Sequence, residues 1–265
     1  MNRRLGLMEG DRRIKVQIQS NDIYNMDCAV GVTLLGDNTV DLIVTSPPYN
    51  VDLGNNKFNK SAYSTYKDNK EHSEYIAWLR SIFALAYPKI KEGGRVCINV
   101  GDGKNGSVPT HSDIIQFMTK DLEYIPMTTI LWDKQQTSNR SAWGSYCSPA
   151  SPSLPRPFEY ILVFAKGSLK LQTNGETDLT KDEFVQWCYG IWDFPPEMNM
   201  KKIGHPAMFP EELARRCIKL FSWKDALVLD LFAGAGTTCK VARELGRSYI
   251  GFEIDEYYHH IAKQR

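Results

Sequence analysis

Residues Val40 to Asn50 read VDLIVTSPPYN, an apolar run that ends in a proline-containing loop. Within it, Asp41 to Thr45 carries the β-branched residues typical of a strand buried in a parallel sheet. The strand is predicted to end at Ser46, because Pro47 and Pro48 lack the amide hydrogens that continue a ladder. Each proline also favours extended backbone in the residue before it, which makes the loop stiff. In α/β proteins, ligands bind at loops that follow the carboxyl ends of parallel strands.

The proline loop carries chemical groups that can hold a planar ring bearing an amine. Ser46 supplies a hydroxyl group, Pro47 a carbonyl oxygen, Tyr49 an aromatic face and Asn50 an amide. A turn that merely ends a core strand would explain the same residues. The loop alone therefore leaves open both a binding site and a structural turn.

A second strand-and-loop segment, Ala226 to Thr238, reads ALVLDLFAGAGTT. Its glycines, Gly234 and Gly236, permit positive φ and allow a ligand to approach the backbone closely. Thr237 and Thr238 are predicted to cap the helix that follows. Because many strand-to-helix turns contain glycine, this pattern is weak support for a ligand site when it stands alone.

A third segment, Tyr249 to Ile254, reads YIGFEI and places the acid Glu253 near the end of a predicted strand. In nucleotide-binding α/β proteins, a glycine loop, a helix and an acid at the tip of the next strand form one site. The acid in such a site binds ribose hydroxyls. Together, residues 226–238 and 249–254 therefore predict a nucleoside site.

The proline loop and the glycine loop resemble those of the amino-methylating DNA methyltransferases, which use S-adenosylmethionine to methylate adenine N6 or cytosine N4. TSPPYN resembles the catalytic loop of that family, and DLFAGAGTT resembles its methionine-binding loop. The catalytic loop comes first in the chain, which is the permuted order of the beta class. Further matches are NMDC at Asn25 to Cys28, GGRVCINVGD at Gly93 to Asp102, PFEYILVFAKG at Pro157 to Gly167 and HPAMFPEELARRCI at His205 to Ile218.

The resemblance implies an α/β fold of the Rossmann-like, S-adenosylmethionine-dependent methyltransferase type. The sheet would be mostly parallel with helices on both faces, in one circularly permuted domain over residues 1–265. The implied cofactor is S-adenosyl-L-methionine, and no metal is implied. The implied catalytic residues are Ser46, Pro47, Pro48 and Tyr49. The implied cofactor-binding residues are Asp27, Cys28, Phe232, Gly234, Gly236, Thr237, Thr238 and Glu253.

Composition limits the remaining function classes. The formal net charge is +1, so any nucleic-acid surface must be local. No apolar run approaches the roughly 18 residues of a membrane span, and the basic N-terminus lacks the apolar core of a secretory signal. A cytoplasmic protein is therefore expected. The six cysteines are scattered singly, so most are predicted to be small core residues rather than disulfide partners or zinc ligands.

Apolar periodicity and β-branched runs predict the remaining elements. Asp27 is predicted to end a short strand, either as a cofactor ligand, as the resemblance implies, or as the cap of the next helix. The apolar stripe of the helix near residue 215 predicts that Arg215, Arg216 and Lys219 face outward. The predicted helices are Ala29–Leu35, Ser73–Lys91, His111–Lys120 and Glu211–Phe221, and the predicted strands are Ile23–Cys28, Arg95–Val100, Pro126–Trp132 and Phe158–Phe164.

Four polar stretches are candidates for contacts with a substrate. Residues 51–70 mix lysines with aromatic side chains, as a lid or nucleic-acid loop would, and a plain surface loop is the competing interpretation. Residues 134–157, rich in amides, serines and basic side chains, and residues 168–202 are competing target-recognition segments. The basic arm 1–16 is either a phosphate contact or a solvated tail.

The resembled family acts on double-stranded DNA, and no segment of the chain predicts membrane attachment. A homodimer and a cognate restriction endonuclease are further partners that the resemblance leaves open. The resemblance implies cytosine N4 over adenine N6, because serine is usual among the cytosine-N4 enzymes at the position of Ser46, although the PPYN ending also occurs among the adenine enzymes. An RNA or protein-glutamine methyltransferase, or an inactive DNA-binding protein of the same fold, would also be compatible with these motifs. Because the loop contains no cysteine, direct methyl transfer to a flipped base is expected.

Overall fold

The computed structural model describes residues 17–50, 69–103, 106–135, 144–145, 147–152, 154, 156–198, 200–203 and 208–265. Within these ranges, eight strands form one sheet. The strands are β1 (Asp22–Asn25), β2 (Val40–Thr45), β3 (Ile90–Val100), β4 (Ile125–Asp133), β5 (Phe158–Ala165), β6 (Ile191–Asp193), β7 (Leu227–Asp230) and β8 (Ser248–Glu253). Their order across the sheet is β1, β8, β7, β2, β3, β5, β4, β6.

Helices cover both faces of this sheet. The helices in the described ranges are α1 (Cys28–Thr33), α2 (His72–Ala86), α3 (Thr110–Lys120), α4 (Lys181–Trp187), α5 (Met200–Ile203), α6 (Glu211–Phe221), α7 (Thr237–Glu244) and α8 (Glu256–Gln264). Helices α1, α2 and α3 bury Val32, Leu79 and Ile114 against one face. Helices α6 and α7 bury Leu213 and Val241 against the other. The predicted α/β fold with helices on both faces is confirmed.

Strand β2 lies in the middle of the sheet, and all six of its residues are buried. Ile43 packs into the core under α1, α2 and α3, whereas Leu42 and Val44 pack into the core under α6 and α7. Because both faces are covered, the strand sequence is a continuous apolar run rather than an alternating one. The predicted buried strand is confirmed, and the proline loop leaves its carboxyl end.

Strand β5 runs against its neighbours, because it pairs antiparallel with both β3 and β4. The other strand pairs are parallel. The register opposes Val100 to Tyr160 and Asp133 to Phe158. The amino end of β5 therefore lies beside the carboxyl ends of β3 and β4, on the same sheet edge as the proline loop. This reversal brings Glu159 to that edge.

Three of the predicted elements have the wrong bounds. Helix α2 stops at Ala86, and the next three residues, which include Pro88, form a 3-10 turn before β3. Strand β1 is shorter than predicted, because Cys28 already belongs to α1. Strand β3 begins at Ile90, well before the predicted Arg95. The other predicted helices and strands are confirmed, with small shifts at their ends, as α1, α3, α6, β4 and β5.

Part of the segment 168–202 contributes to the core. Strand β6 joins the sheet parallel to β4, and Trp192 is fully buried. Arg216 is also buried, with its guanidinium carbon 4.6 Å from the centroid of the Phe194 ring. Lys219 is covered by α4. The prediction that Arg216 and Lys219 face outward is wrong, because side chains from a distant segment cover that side of α6.

The structure tests some of the remaining predictions, whereas others concern residues outside the described ranges. In the part of the chain that the structure describes, no helix is long and apolar enough to cross a membrane. All six cysteines are free thiols, and four of them are buried as predicted: Cys28, Cys97, Cys217 and Cys239. The basic arm 1–16, nearly all of 51–70 and much of 134–157 lie outside the described residues.

Candidate active site

The proline loop turns at Asn50 and is attached there to the residues before α2. Pro47 is buried, while Ser46, Pro48 and Tyr49 are partly exposed. Asn50 has a φ of 55°, a left-handed conformation that asparagine adopts more readily than most residues. Its side-chain amide donates one hydrogen bond to the backbone of the residue at position 70 and accepts another, each of 2.7 Å. These bonds fix the end of the loop.

The hydroxyl group of Tyr49 lies at the centre of a polar network. It donates to Glu159 Oε2 over 2.8 Å and lies 3.2 Å from Asn99 Oδ1. The Ser46 hydroxyl donates to the Tyr49 oxygen over a longer 3.4 Å. The structure therefore joins two of the predicted catalytic residues through the tyrosine oxygen.

Glu159 anchors this network and was not predicted as a site residue. Its Oε2 also accepts from Asn99 Nδ2 over 3.1 Å, and its Oε1 accepts from Lys134 Nζ over 2.8 Å. The Glu159 side chain is 14% exposed and that of Lys134 is 20% exposed. The only sequence signal for Glu159 was the family match at residues 157–167. That match does not indicate a role for Glu159 unless the direction of β5 is known.

The environment of Tyr49 keeps its hydroxyl proton in place. Burial, strengthened by the nearby Glu159 carboxylate, raises the pKa of Tyr49 well above its ordinary value. The Tyr49 ring also packs against the backbone of Gly101, since a Cβ at that glycine would lie only 3.3 Å from Tyr49 Cε2. Tyr49 is therefore a neutral hydrogen-bond donor on a ring of fixed position.

The glycine loop follows β7 and contacts the tip of β8. Glu253 Oε2 accepts from the amide of Gly234 over 2.7 Å, and its Oε1 accepts from the amide of Asp255 over 2.8 Å. Burial raises the pKa of Glu253 to about 7, although both amides favour the charged form. The structure thus brings the predicted ribose-binding acid against the predicted cofactor loop.

The prediction that Thr237 and Thr238 cap α7 is wrong. The cap residue is Gly236, which has a φ of 78° and no side chain to bond the helix amides. A Cβ at Gly236 would lie 3.0 Å from that of Ala262, so the glycine also lets α8 approach the loop. Thr237 is buried, and the Thr238 hydroxyl, fully buried, donates to the carbonyl of Val44 over 3.2 Å.

A side-chain hydrogen bond also joins the ends of β2 and β7, the strands that lead into the two loops. The hydroxyl of Thr45, the last residue of β2, donates to Asp230 Oδ1 over 2.7 Å. The same carboxylate oxygen accepts from the amide of Phe232 over 3.1 Å. Burial raises the pKa of Asp230 to about 6. The strand before the proline loop and the strand before the glycine loop are therefore held together at their carboxyl ends.

The other predicted cofactor residues lie around the same sheet edge. Asp27 is exposed and caps α1, since its Oδ1 accepts from the amide of Ala29 over 2.7 Å. Cys28 is buried, and burial raises the pKa of its thiol to about 12. The ring of Phe232 lies 5.6 Å from that of Trp78, measured between centroids. Because β1 pairs in parallel with β8, Asp27, which follows β1, lies near Glu253, which ends β8.

A second polar cluster adjoins the network and was also not predicted. The side chain of Asp102, just beyond β3, is almost fully buried. Its Oδ1 lies 2.7 Å from His111 Nδ1, and its Oδ2 accepts from Arg156 over 3.1 Å. The His111 ring stacks on Tyr160 with 4.0 Å between centroids. This cluster fixes the start of α3 against β5.

The candidate segment 134–157 is attached to both clusters. At one end Lys134 pairs with Glu159, and at the other end Arg156 pairs with Asp102. The segment therefore leaves from and returns to the neighbourhood of the proline loop.

Among the described residues, no group of three or more histidine, cysteine or acidic side chains is arranged to hold a metal ion.

Known proteins resemble this chain in sequence and in fold. The type II methyltransferase M.MjaI of Methanocaldococcus jannaschii is 33% identical over 251 residues, which cover 83% of this chain and 82% of that protein. M.MjaVI of the same organism is 37% identical over 178 residues, which cover 63% of this chain and 87% of that protein. The structure of TTHA0409 from Thermus thermophilus, described as a DNA modification methylase complexed with S-adenosyl-L-methionine, has a TM-score of 0.70 and 26% identity, over 92% of this chain and 93% of that chain.

The sequence profile of a DNA methylase family, N6_N4_Mtase, matches residues 40–264. That range begins at the first residue of β2 and includes the proline loop, the reversed strand β5 and the glycine loop. The resemblance inferred from the two loop motifs is thereby confirmed. The chain belongs to the N6_N4_Mtase family of DNA methylases.

Proposed function

We propose that this chain uses S-adenosylmethionine to methylate an exocyclic amino group of a base in double-stranded DNA. The observation that carries the proposal is the hydrogen bond between Thr45 and Asp230, the strand ends from which the proline loop and the glycine loop begin. A methyltransferase must hold its donor and acceptor in contact, and two loops that begin at strand ends joined by a buried hydrogen bond can do so without a large rearrangement.

The residues at the tips of β1 and β8 fit the nucleoside end of the cofactor. Carboxylates accept hydrogen bonds, and ribose hydroxyls and an adenine amine are donors. Glu253, beside Gly234, would take the ribose, while Asp27 would take the adenine amine. Phe232 and the backbone of the glycine loop would line the methionine end. When bound, S-adenosylmethionine supplies a methyl group that is activated by its attachment to a sulfonium.

The proline loop supplies acceptors for the target amine. The lone pair of an exocyclic base amine is delocalised into the ring, so the amine is a weak nucleophile. Acceptors that bind its protons favour the pyramidal form, whose lone pair can attack a methyl group. Ser46 Oγ and the Pro47 carbonyl are such acceptors. Since the loop has no cysteine to bond covalently with the base, we infer that the amine attacks directly.

The target base must leave the double helix to reach this loop. In a duplex the exocyclic amine is stacked among its neighbours and paired, so an enzyme that acts on it flips the nucleotide out. The ring of Tyr49 would stack on the flipped base, a contact worth about 1–3 kcal/mol. The hydrogen bond to Glu159 holds this ring in place before the base arrives.

We favour cytosine N4 as the target atom. In the resembled family, serine at the first position of the loop is usual among cytosine-N4 enzymes, whereas Asp or Asn is usual among adenine-N6 enzymes. The residue at that position here is Ser46. Adenine N6 is the competing target, because Asn50 gives the loop a PPYN ending that adenine enzymes share.

We assign target recognition to residues 134–157 rather than 168–202. The first segment is attached at both ends beside the proline loop, through Lys134 and Arg156. The second places Trp192 in the core and α4 against α6, which leaves less of it for DNA. A homodimer, a cognate restriction endonuclease and a cytoplasmic location stay predictions.

The proposed function is tested by incubating the protein with methyl-labelled S-adenosylmethionine and, separately, double-stranded DNA, RNA or a protein mixture. Label transferred to DNA is the expected result. Label found in RNA or in protein glutamine would favour those substrates instead. Cofactor and DNA binding without transfer to any acceptor would identify an inactive DNA-binding protein of the same fold.

A further inference from the structure

We propose that Glu159 is a positioning residue that sets the direction of the Ser46 hydroxyl proton. The inference rests on the proposed function, since it concerns how the proline loop meets the target amine. A serine hydroxyl is both a donor and an acceptor, yet only its acceptor capacity helps an amine that must attack through its lone pair. The network behind Ser46 determines which of the two capacities faces the target.

The first step concerns what Glu159 can exchange with its neighbours. A carboxylate only accepts hydrogen bonds. Glu159 accepts one from Lys134 over 2.8 Å, one from Asn99 over 3.1 Å and one from Tyr49 over 2.8 Å. Lys134 Nζ lies at ion-pair distance from Oε1 and holds the side chain of Glu159 in this position. Glu159 is therefore a fixed acceptor facing Tyr49.

The second step follows the single hydroxyl proton of Tyr49. Its two acceptors are Glu159 Oε2 at 2.8 Å and Asn99 Oδ1 at 3.2 Å. Hydrogen bonds to a charged acceptor are shorter and stronger than those to a neutral one, so the proton lies toward Glu159. The lone pairs of the Tyr49 oxygen then remain for the Ser46 hydroxyl.

The third step gives the state of Ser46. Its proton is directed to the Tyr49 oxygen at 3.4 Å, so the hydroxyl offers lone pairs to the target amine. If the Tyr49 proton pointed to Ser46 instead, the serine proton would have to point elsewhere, including toward the amine lone pair. That orientation would oppose the attack. Glu159 thus keeps the Ser46 oxygen available to accept a hydrogen bond from the target amine, without itself contacting the substrate.

The structure also explains why this residue comes from β5. Strand β5 is antiparallel to β3, so its second residue lies near the end of β3, where Asn99 lies. A parallel strand would bring its carboxyl end, and not its amino end, to this edge of the sheet. The reversed strand therefore supplies the anchor for a loop that follows a parallel strand.

The proposal is tested with Glu159→Gln, which keeps the size of the side chain but offers an NH2 group as well as a carbonyl. When the NH2 group faces Tyr49, the tyrosine proton loses its charged acceptor and is shared between Asn99 Oδ1 at 3.2 Å and the Ser46 oxygen at 3.4 Å. The single-turnover methylation rate is expected to fall about 10-fold to 100-fold, with affinity for S-adenosylmethionine changed less than about 2-fold. The matched control is Glu244→Gln, which removes a carboxylate 2.7 Å from Lys240 on α7 and should leave the rate unchanged.

A double-mutant cycle separates positioning from support of the fold. Tyr49→Phe removes the oxygen through which Glu159 acts on Ser46. In that background, Glu159→Gln should lower the rate less than about 3-fold, because the link is already broken. If the two losses multiply, Glu159 acts by another route and the inference is overturned.

A measurement that needs no methylation completes the test. In protein labelled with 13C at tyrosine Cζ, the Tyr49 signal is identified as the one missing from Tyr49→Phe. It should shift in Glu159→Gln and stay in place in Glu244→Gln. An unchanged signal in Glu159→Gln would overturn this inference whatever the substrate is. Lack of methylation by the parent protein, with the expected shift present, would count against the proposed function instead.

Discussion

The hydroxyl of Thr45 donates a hydrogen bond to Asp230 Oδ1 over 2.7 Å, although 185 positions separate the two residues. Thr45 ends the strand that leads into the proline loop, and Asp230 ends the strand that leads into the glycine loop. Both side chains are buried. The relative position of the two loops is thus fixed by the core of the sheet rather than by the loops themselves.

The substitution Thr45→Val removes this hydrogen bond while keeping the shape of the side chain. It leaves a buried carboxyl group with fewer donors, so the free energy of unfolding should fall by about 1–3 kcal/mol. Loss of the Thr45 bond should also raise the pKa of Asp230 further. Urea denaturation measures the first effect. Thr33→Val, which removes an exposed hydroxyl that bonds only within α1, is the control and should cost clearly less.

The substitution Glu253→Gln tests the acid at the tip of β8. A neutral amide is a weaker acceptor for ribose hydroxyls, so the dissociation constant for S-adenosylmethionine should rise about 10-fold or more at pH 8. Calorimetry measures this directly, and the exposed Glu256→Gln serves as the control. Unchanged affinity in Glu253→Gln would remove this residue from the cofactor site.

The substitution Glu253→Gln should also change how the free energy of unfolding depends on pH, because burial raises the pKa of Glu253 to about 7. A raised carboxyl pKa stabilises the fold below the ordinary value of 4.5, and this contribution is lost as the pH rises through about 7. The NH2 group of the glutamine faces one of the two amide donors at every pH, which is a constant cost, but the variant does not titrate. The stability of Glu253→Gln relative to the parent should therefore rise by on the order of 1–3 kcal/mol from pH 5 to pH 8. A difference in stability between variant and parent that is the same at both pH values would contradict the assignment.

The substitutions Tyr49→Ala and Ser46→Ala should impair methylation far more than cofactor binding. The proline loop is assigned to the target, and the acid and glycine loop are assigned to the cofactor. A 2-aminopurine at the target position reports flipping through its fluorescence. Flipping and methylation at parental rates in Tyr49→Ala would show that stacking is not the role of this ring.

DNA recognition by residues 134–157 predicts a difference between two basic side chains. Arg140→Gln, within that segment, should weaken DNA binding and lower the slope of log K against log salt by about one. Lys170→Gln, in the competing segment 168–202, should change neither quantity. Filter binding over a range of salt concentrations measures both. The reverse pattern would reassign recognition to the second segment.

Several parts of the molecule could be predicted from local sequence because local chemistry determines them. The strand 40–45 is apolar throughout, and its proline loop cannot extend a ladder. The helix 211–221 has a clear apolar stripe, and its bounds are those of α6. The resemblance of the two loops to one family gave the fold class, since the order of the loops and their strands is itself a topological signature.

The rest depended on contacts between distant segments. Glu159 joins the candidate site only because β5 runs antiparallel, and no pattern of side chains within 157–167 encodes that direction. Arg216 was misplaced because Phe194 and Trp192 cover it from more than twenty residues away in the chain. Gly236, and not a threonine, caps α7 because the left-handed turn there must also admit α8.

The central claim is amino methylation of a DNA base, and mass spectrometry of nucleosides tests it most directly. Duplex DNA is incubated with the protein and S-adenosylmethionine carrying an isotopically labelled methyl group, then digested and separated. We predict labelled N4-methylcytosine. Labelled N6-methyladenine would refute the choice of base and keep the mechanism, whereas labelled 5-methylcytosine, or no labelled nucleoside at all, would contradict the account.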